Sequence, residues 1–573
     1  MKRIYYIVII IIGSMFFNSC SDDLLDKTPL DEISDEDFWK TEGDLQLYLN
    51  TLYGEFPGWE GDGTAPSHDI GTDIISESQL WFGTSSTNRL DGTGNLPTTG
   101  GGWTWSNIRS VNYFLENVDR VESGELIDHY KGEGYFFRAY FYFELLTQFG
   151  DLPIVTKVVQ TDDDDILYGR RESRTDVVNF ILSDLDLAIA NMKTVSDVGD
   201  SRLNRDIASL FKARVALYEG TWEKYHEGTE FAGDTDGSLF LEQAHAAAYN
   251  VIESGNYSLY TADGNTDEAY YDLFIQTDYN GHSEVMLYKH YDYLTYNIKN
   301  FLWNQPNLQG MTREMTKNYL ASDGMPISVS PNFIGDATLS EIQVNRDPRL
   351  GQTIMAPGDL DYVSLNGDDI AFNTPNMTRN PTGYSIEKWR SKEILADQEN
   401  HRTSDIGYII FRYAEALLIF AEAKAELGIL TQADVDISIN KLRDRVGMPH
   451  LNLASITQDP NWPDYGYTLT DYQYEVRRER VVELFGEGNR LDDLMRWRAH
   501  KLFVGTRPLG TTYTSDIEDL YPGLMVDNDG FIDPFVNYLN GGAYGFDASR
   551  DYLLPLPTNE LTTNPALIQN PNW

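Results

Sequence analysis

The sequence has few cysteines and few basic residues. Cys20 is the one cysteine among 573 residues, which excludes an internal disulfide framework, a multi-cysteine zinc site and a cysteine-ligated iron–sulfur cluster. Lys and Arg together number 44 against 89 Asp and Glu, so the formal net charge is −45. A surface of that sign repels phosphate groups. We therefore expect no binding to nucleic acid and no electrostatic attachment to anionic lipid.

Signatures of catalytic sites are also missing from the sequence. It contains no Gly-x-Ser-x-Gly elbow, no His-Glu-x-x-His pair and no phosphate loop ending in Gly-Lys-Ser/Thr. Asp234-x-Asp236-Gly237 begins like a calcium loop but lacks the later Gly and Glu, so it indicates a solvated turn. A glycosidase needs only two well-placed carboxylates. The sequence singles out no such pair.

Long apolar runs occur only at the N-terminus. Residues 4–17 are almost wholly apolar and follow Lys2 and Arg3. About fourteen residues make a helix too short to cross a bilayer comfortably, so the run is typical of a secretory signal. Cys20 stands where polarity rises, before Ser21-Asp22-Asp23, and this junction resembles a bacterial lipoprotein processing site. We expect a signal peptide over 1–19 and a lipidated tether over 20–34; the alternative is an ordinary signal with an incidental cysteine.

The remainder, 35–573, is expected to be one composite domain with a helical scaffold and two loop-rich parts. Apolar spacing predicts scaffold helices over about 35–53, 104–120, 125–149, 175–192, 205–224, 238–254, 408–427, 433–446 and 472–500. The scaffold thus covers about 35–53, 104–254 and 408–500. Gly, Pro, Ser and Thr dominate about 54–103, and a predicted strand at 282–290 opens a loop-rich stretch that runs to about 400. Long loops in a compact protein are usually functional.

The segment 476–497 interleaves charged and apolar residues at helical spacing. Arg480 and Glu483 are three residues apart, as are Glu487 and Arg490, so each pair is placed to interact on one helix face. A ligand site is one interpretation of these residues. The favoured interpretation is a buried ion-pair network that fixes helix packing.

Several ordered motifs resemble the SusD/RagB family of outer-membrane nutrient-binding lipoproteins. The lipoprotein-like start and the following segments carry the resemblance: 476–497, Ile439–Gly447, Arg412–Ala423, Arg346–Leu350, Ser322–Gly324 and the tail from Leu554 to Pro571. The resemblance implies a mainly α fold, in which tetratricopeptide-like helix pairs form a scaffold and an irregular part with few short strands binds the ligand.

The same resemblance implies a function. It implies a non-catalytic lipoprotein, anchored in the outer membrane and exposed at the cell surface, that captures an oligosaccharide without a cofactor or metal ion. It also implies delivery of that nutrient to a SusC-like TonB-dependent transporter. A peptide-binding lipoprotein of the same fold is one alternative, and a surface glycoside hydrolase is another.

A sugar site needs exposed aromatic rings and polar partners for hydroxyl groups, and both are most available on loops. The first loop-rich part offers rings at Trp81 and Phe82, hydroxyl partners at Asp73 and Arg89, and a further ring at Trp59. From the second part we select Tyr291, Tyr296 and Trp303. Three other aromatic residues have a structural interpretation: Trp103 and Trp105 are expected to cap the core, and Tyr288 is placed either in the core or at the site.

Overall fold

The computed structural model describes residues 38–59, 69–77, 89–292, 309–364, 366–378, 380–392 and 405–573. The architecture is mainly α, as the sequence predicts. The principal helices are α1 Glu42–Tyr53, α2 Ser106–Asn117, α3 Ile127–Phe149, α4 Arg174–Asn191, α5 Arg205–His226, α6 Ser238–Ser254, α7 Tyr413–Glu426, α8 Gln432–Asp436, α9 Ile439–Arg445, α10 Asp471–Glu483 and α11 Arg490–Arg496.

Pairwise packing organises these helices into a scaffold. α3 packs on α4, α5 on α6, and α7 on both α6 and α10. Gly220 lets α5 approach α6 closely, because a Cβ there would stand 3.0 Å from the Gly237 carbonyl oxygen. The main core lies between these helices and is rich in rings from α3, among them Phe136, Phe137 and Tyr142. Trp103 and Trp105 pack against this core, as predicted.

Capping residues explain where several helices begin. The Thr41 side chain accepts a hydrogen bond from the Asp44 amide and forms a capping box, so α1 begins at Glu42. Asn204 caps α5 and Thr470 caps α10 through side-chain hydrogen bonds of the same kind. Helix α1 was expected to start near residue 35, which lies outside the described residues, and the described residues 38–41 precede α1. Among the residues that are described, no helix is both long and apolar enough to cross a membrane.

Three predicted helices are shorter or broken. The segment expected as a helix over 408–427 begins as a strand, β6 Tyr408–Arg412, because its branched and aromatic residues pair with β2 Val285–Lys289. The pattern over 433–446 divides into α8 and α9 at Ser438. The pattern over 472–500 divides into α10 and α11, where Gly486 and Gly488 adopt positive φ.

The six strands described are short and form three two-stranded antiparallel sheets. β1 Ile75–Glu77 pairs with β3 Gln309–Met311, and β2 pairs with β6. β4 Leu360–Val363 pairs with β5 Asp369–Ala371. Five of these six strands lie in the loop-rich parts, and β6 lies at the start of the scaffold segment 408–500.

Candidate functional site

The β1–β3 sheet brings the two predicted ligand-binding segments together. Glu77, the last residue of β1, lies opposite Gln309, the first residue of β3. Segment 78–88 begins after Glu77, and segment 293–308 ends before Gln309. The start of the first segment and the end of the second therefore lie at neighbouring positions, although they are more than 200 residues apart in sequence.

Four packed aromatic residues, three of them buried and Tyr408 half-buried, lie beside the ends of neighbouring loops, and we call Trp59, Tyr291, Trp389 and Tyr408 the base cluster. The Trp59 amide donates a hydrogen bond of 2.7 Å to the Tyr291 hydroxyl. The Trp59 ring lies edge-on to Tyr408, with centroids 4.7 Å apart, and to Trp389, with centroids 6.2 Å apart. Trp59 precedes the stretch 60–68, and Tyr291 lies just before 293–308. Trp389 and Tyr408 lie on either side of the stretch between 392 and 405. The base cluster therefore joins residues at the edges of three loops.

The backbone around the base cluster explains this close packing. Lys289 of β2 lies opposite Tyr408 of β6, and its Nζ donates to the carbonyl oxygens of Gly54, at 3.1 Å, and Phe56. The turn after α1 is thereby held against the sheet. Gly58 is required here, because a Cβ at this position would stand 2.3 Å from the Tyr291 hydroxyl oxygen.

A cavity of about 380 Å³ lies beside the base cluster, between the scaffold and β6. Its wall includes Tyr140, Glu144, Arg214, Tyr408 and Asp492. Glu144 opens into the cavity but is surrounded by protein, and this desolvation, reinforced by the nearby Asp492, raises its pKa to about 7. Desolvation and the neighbouring Asp493 raise the pKa of Asp492 to about 6. Rings beside carboxyl groups suit a ligand rich in hydroxyl groups.

The selected ring residues fall into two groups. Trp81, Phe82, Tyr296 and Trp303 lie outside the described residues, as does Cys20. Tyr291 is described and is 3% exposed. The expectation of an exposed stacking ring at Tyr291 is therefore wrong, because its hydroxyl and its ring are used to hold the loop bases together.

The selected polar partners are both engaged by the protein itself. The Asp73 carboxylate accepts two hydrogen bonds from Arg490, one of them 2.7 Å from Nε to Oδ1. Arg89 donates to the carbonyl oxygens of Asp551, at 2.8 Å, and Tyr552. Burial lowers the pKa of the Arg89 guanidinium. Both side chains thus fix loop positions through bonds within the protein, and their selection as sugar-binding partners stays a prediction.

Sequence patterns did not separate buried loop aromatics from exposed ones. Trp59, considered for an exposed ring, is 3% exposed, and Tyr288 faces the core at 9%. Trp389 and Tyr408 of the base cluster were not predicted at all. The one signal available was that each of them adjoins a loop-rich stretch. Within the described ranges, no group of His, Cys, Asp and Glu side chains is arranged to hold a metal ion.

Comparison with known proteins places this chain in a family. A family model described as the SusD family matches residues 279–573, just over half of the chain. A second model, described as "Starch-binding associating with outer membrane", matches residues 76–217. A SusD-like protein of Formosa agariphila is 25% identical over 523 residues, covering 86% of this chain and 91% of that protein.

Solved structures share the fold. A SusD-like carbohydrate binding protein from Bacteroides fragilis superposes with a TM-score of 0.70 at 21% identity, covering 93% of this chain and 100% of that one. A structure described as a laminarin binding SusD-like protein superposes with a TM-score of 0.56 at 20% identity, again covering 93% and 100%. At these identities the superpositions establish the fold.

Proposed function

This chain belongs to the SusD family, and from that premise we propose that it is a glycan-binding lipoprotein of the outer-membrane surface. It captures an oligosaccharide without chemical change and delivers it to a SusC-like TonB-dependent transporter. Cys20 carries the lipid that attaches the protein to the membrane. The carbohydrate-binding and laminarin-binding descriptions of two structural relatives support the choice of cargo.

The observation that carries the proposal is that one ring-bearing segment begins, and another ends, at paired residues of the β1–β3 sheet. Segment 78–88 contains Trp81 and Phe82, and segment 293–308 contains Tyr296 and Trp303. The β1–β3 pair joins the start of the first segment to the end of the second, and the base cluster holds the start of the second. Aromatic rings stack on the apolar C–H faces of sugars, while neighbouring polar groups bind the hydroxyls. A rigid base reduces the ordering cost of binding.

The proposal predicts that the loop tryptophans dominate affinity for the glycan. We expect Trp81→Ala and Trp303→Ala each to weaken binding about 10-fold or more, because a buried ring at the centre of a contact contributes more than about 1 kcal/mol. Isothermal titration against a polysaccharide panel that includes laminarin and starch measures this. Tyr168→Ala is the matched control, since its ring is 52% exposed and lies outside both segments.

Two other outcomes decide between the alternatives. Binding of a mixed peptide pool, with no binding to any glycan of the panel, would establish the peptide-binding alternative and reject the proposed cargo. Release of new reducing ends during incubation with laminarin or starch would show catalysis and reject the non-enzymatic function.

A further inference from the structure

A second cavity lies apart from the base cluster, where the start of α10 meets the loop 458–466. Its volume is about 180 Å³, and its wall includes Lys317, Asp459, Asn461, Trp462, Tyr474 and Arg478. No member of the base cluster lines it. Asp73 and Arg490 also lie on its wall, so the cavity adjoins the segment that leads into β1.

An aromatic platform forms one side of this cavity. The Trp462 ring stacks on Tyr474 with centroids 4.5 Å apart and an interplanar angle of 6°. Arg478 donates a hydrogen bond of 2.8 Å to Asp459, and Asp459 also accepts one of 2.7 Å from Ser328, so the loop that carries Trp462 is fixed in place. No other aromatic ring of the described chain packs against Trp462. A flat ring held on one face is suited to stacking with the other.

The charges that line the cavity are balanced. Each of its five cationic side chains is paired with a carboxylate within 3.1 Å: Lys317–Glu314, Arg477–Glu426, Arg478–Asp459, Arg490–Asp73 and Arg507–Asp533. A site for a simple anion would present unpaired positive charge, and a cation site would present unpaired carboxylates. Paired charges offer hydrogen-bond donors and acceptors without net attraction to either. That combination suits a neutral ligand rich in hydroxyl groups.

The buried hydrogen-bonding groups of this wall that lack a partner among the described residues are all donors. Arg490 Nη1, Arg478 Nη1 and Trp462 Nε1 have no hydrogen-bond acceptor within the described part of the chain. The Arg490 and Arg478 side chains are only 6% and 9% exposed. Buried N–H groups without acceptors are costly. All three are enclosed by protein, so the donor that an entering ligand meets directly is the side-chain amide of the exposed Asn461.

From these observations we infer that the Trp462 cavity is a second binding site for a neutral saccharide, separate from the site at the converging loops. A sugar ring stacks on Trp462 and its hydroxyl groups bond to Asp459, Asn461 and Arg478. This inference rests on the proposed function, because it assumes the same class of glycan. A long polysaccharide then has two places of attachment on one molecule, and bound chains dissociate more slowly.

Affinity electrophoresis in gels containing laminarin or starch tests the inference. We expect Trp462→Ala to weaken retention about 3-fold or more, and Trp462→Phe to keep most of it. Asn461→Trp fills the cavity from an exposed position and leaves the Trp462–Tyr474 stack in place, so it is expected to weaken retention as Trp462→Ala does. Thermal unfolding confirms that each variant is folded, and Tyr168→Ala is again the control.

The two sites are separated by a combined variant. The Trp81→Ala/Trp303→Ala double variant is expected to retain weak binding, and adding Trp462→Ala is expected to abolish it. Unchanged retention in both Trp462→Ala and Asn461→Trp overturns the second site and leaves the proposed function standing. The second site is likewise overturned if the double variant retains no binding, or retains binding that Trp462→Ala does not reduce. If the wild-type protein binds neither laminarin nor starch, the second site is overturned together with the choice of these glycans.

Discussion

Several buried arginines in the described part of the chain bind a carboxylate through two hydrogen bonds at once. The Arg174 guanidinium donates to both carboxylate oxygens of Glu219, at 2.7 Å each, and lies 3.8 Å from the centroid of the Trp222 ring. Arg138 binds Asp184 in the same two-point manner. Such geometry compensates the desolvation of a charge. A strongly acidic protein can therefore bury many charged groups without losing its fold.

Glu387 has no such two-point contact. Its side chain is fully buried, and neither carboxylate oxygen has a hydrogen bond within the described chain. Lys392 Nζ lies 3.3 Å from Oε1, but without hydrogen-bond geometry. Burial therefore outweighs the nearby positive charges and raises the pKa of Glu387 to about 7. The neutral acid is the form that the folded protein prefers.

This raised pKa predicts a pH-dependent stability. The preference for the neutral acid stabilises the folded state fully below the unfolded pKa of 4.5, and that contribution is lost as the pH rises through about 7. We expect Glu387→Gln to remove this dependence, so that the variant gains up to about 3 kcal/mol relative to wild type between about pH 4.5 and pH 8. Urea unfolding at a series of pH values measures it.

Glu518→Gln, at an exposed position, is the control for Glu387 and is expected to follow the wild-type curve. A constant difference between Glu387→Gln and wild type across the pH range would contradict the assignment of a raised pKa.

Elements of the second half are joined by one ion-pair network centred on Glu483 at the end of α10. Its carboxylate accepts hydrogen bonds from Arg412 of β6, at 2.8 Å, and from Arg445 of α9, at 2.6 Å. Arg349, in a short helix that precedes both, is 3.2 Å away. These arginines outweigh the burial of Glu483 and hold its pKa well below the ordinary value. One side chain thus links a strand and three helices.

The network confirms the favoured interpretation of segment 476–497 but not the pairs expected within it. Glu483 does not pair with Arg480, which binds Asp493 at 2.8 Å. Glu487 binds Arg412 and Lys388, and Arg490 binds Asp73. The partners lie on other elements because these faces of α10 and α11 are buried. Spacing along one helix cannot identify partners that tertiary packing supplies.

Loss of Glu483 is therefore expected to destabilise several elements at once. Glu483→Gln leaves buried arginines without their full charge compensation, and we expect the free energy of unfolding to fall by about 3–5 kcal/mol. Urea unfolding at pH 7 measures the loss. Glu518→Gln is again the matched control, with an expected change below about 0.5 kcal/mol. An effect of Glu483→Gln as small as that of the control would mean that the network does not hold the elements together.

At the scale of the whole molecule, a helical scaffold carries loops whose flanking residues are held by buried contacts. The scaffold buries its aromatic residues in one large core. The base cluster and the two cavities lie where the loop-rich parts meet that scaffold. A binding protein arranged in this way keeps its fold while the loops differ in sequence.

Attachment to the membrane is the corresponding prediction for the whole protein. Expressed in a Gram-negative host, the wild-type chain is expected to incorporate labelled palmitate and to sediment with the outer membrane. Cys20→Ala is expected to lose the label and to appear in the soluble fraction, since the lipid on this residue is the proposed anchor. Ser21→Ala is the control and is expected to remain membrane-bound. If the Cys20→Ala variant takes up no label but still sediments with the outer membrane, Cys20 is not the residue that anchors the protein.

Local signals in the sequence determined most of the scaffold. Helix α6 covers residues 238–254 as expected, and α4 and α5 end within two residues of their predicted limits. Their apolar periodicity and capping residues are properties of neighbouring residues, so they can be read without knowing the fold. The family motifs similarly determined the fold class, because they are contiguous segments in a fixed order.

Tertiary structure alone decided the character of the loop residues. Trp59 and Tyr291 are loop aromatics in the sequence, and only the tertiary structure shows that they are buried and joined by a hydrogen bond. The Trp462 platform was not predicted, because its partner Tyr474 lies on α10 and its polar neighbours come from several loops. Burial and charge pairing depend on contacts between distant segments. The sequence therefore determined which elements form, and the packing decided which rings and charges remain available to a ligand.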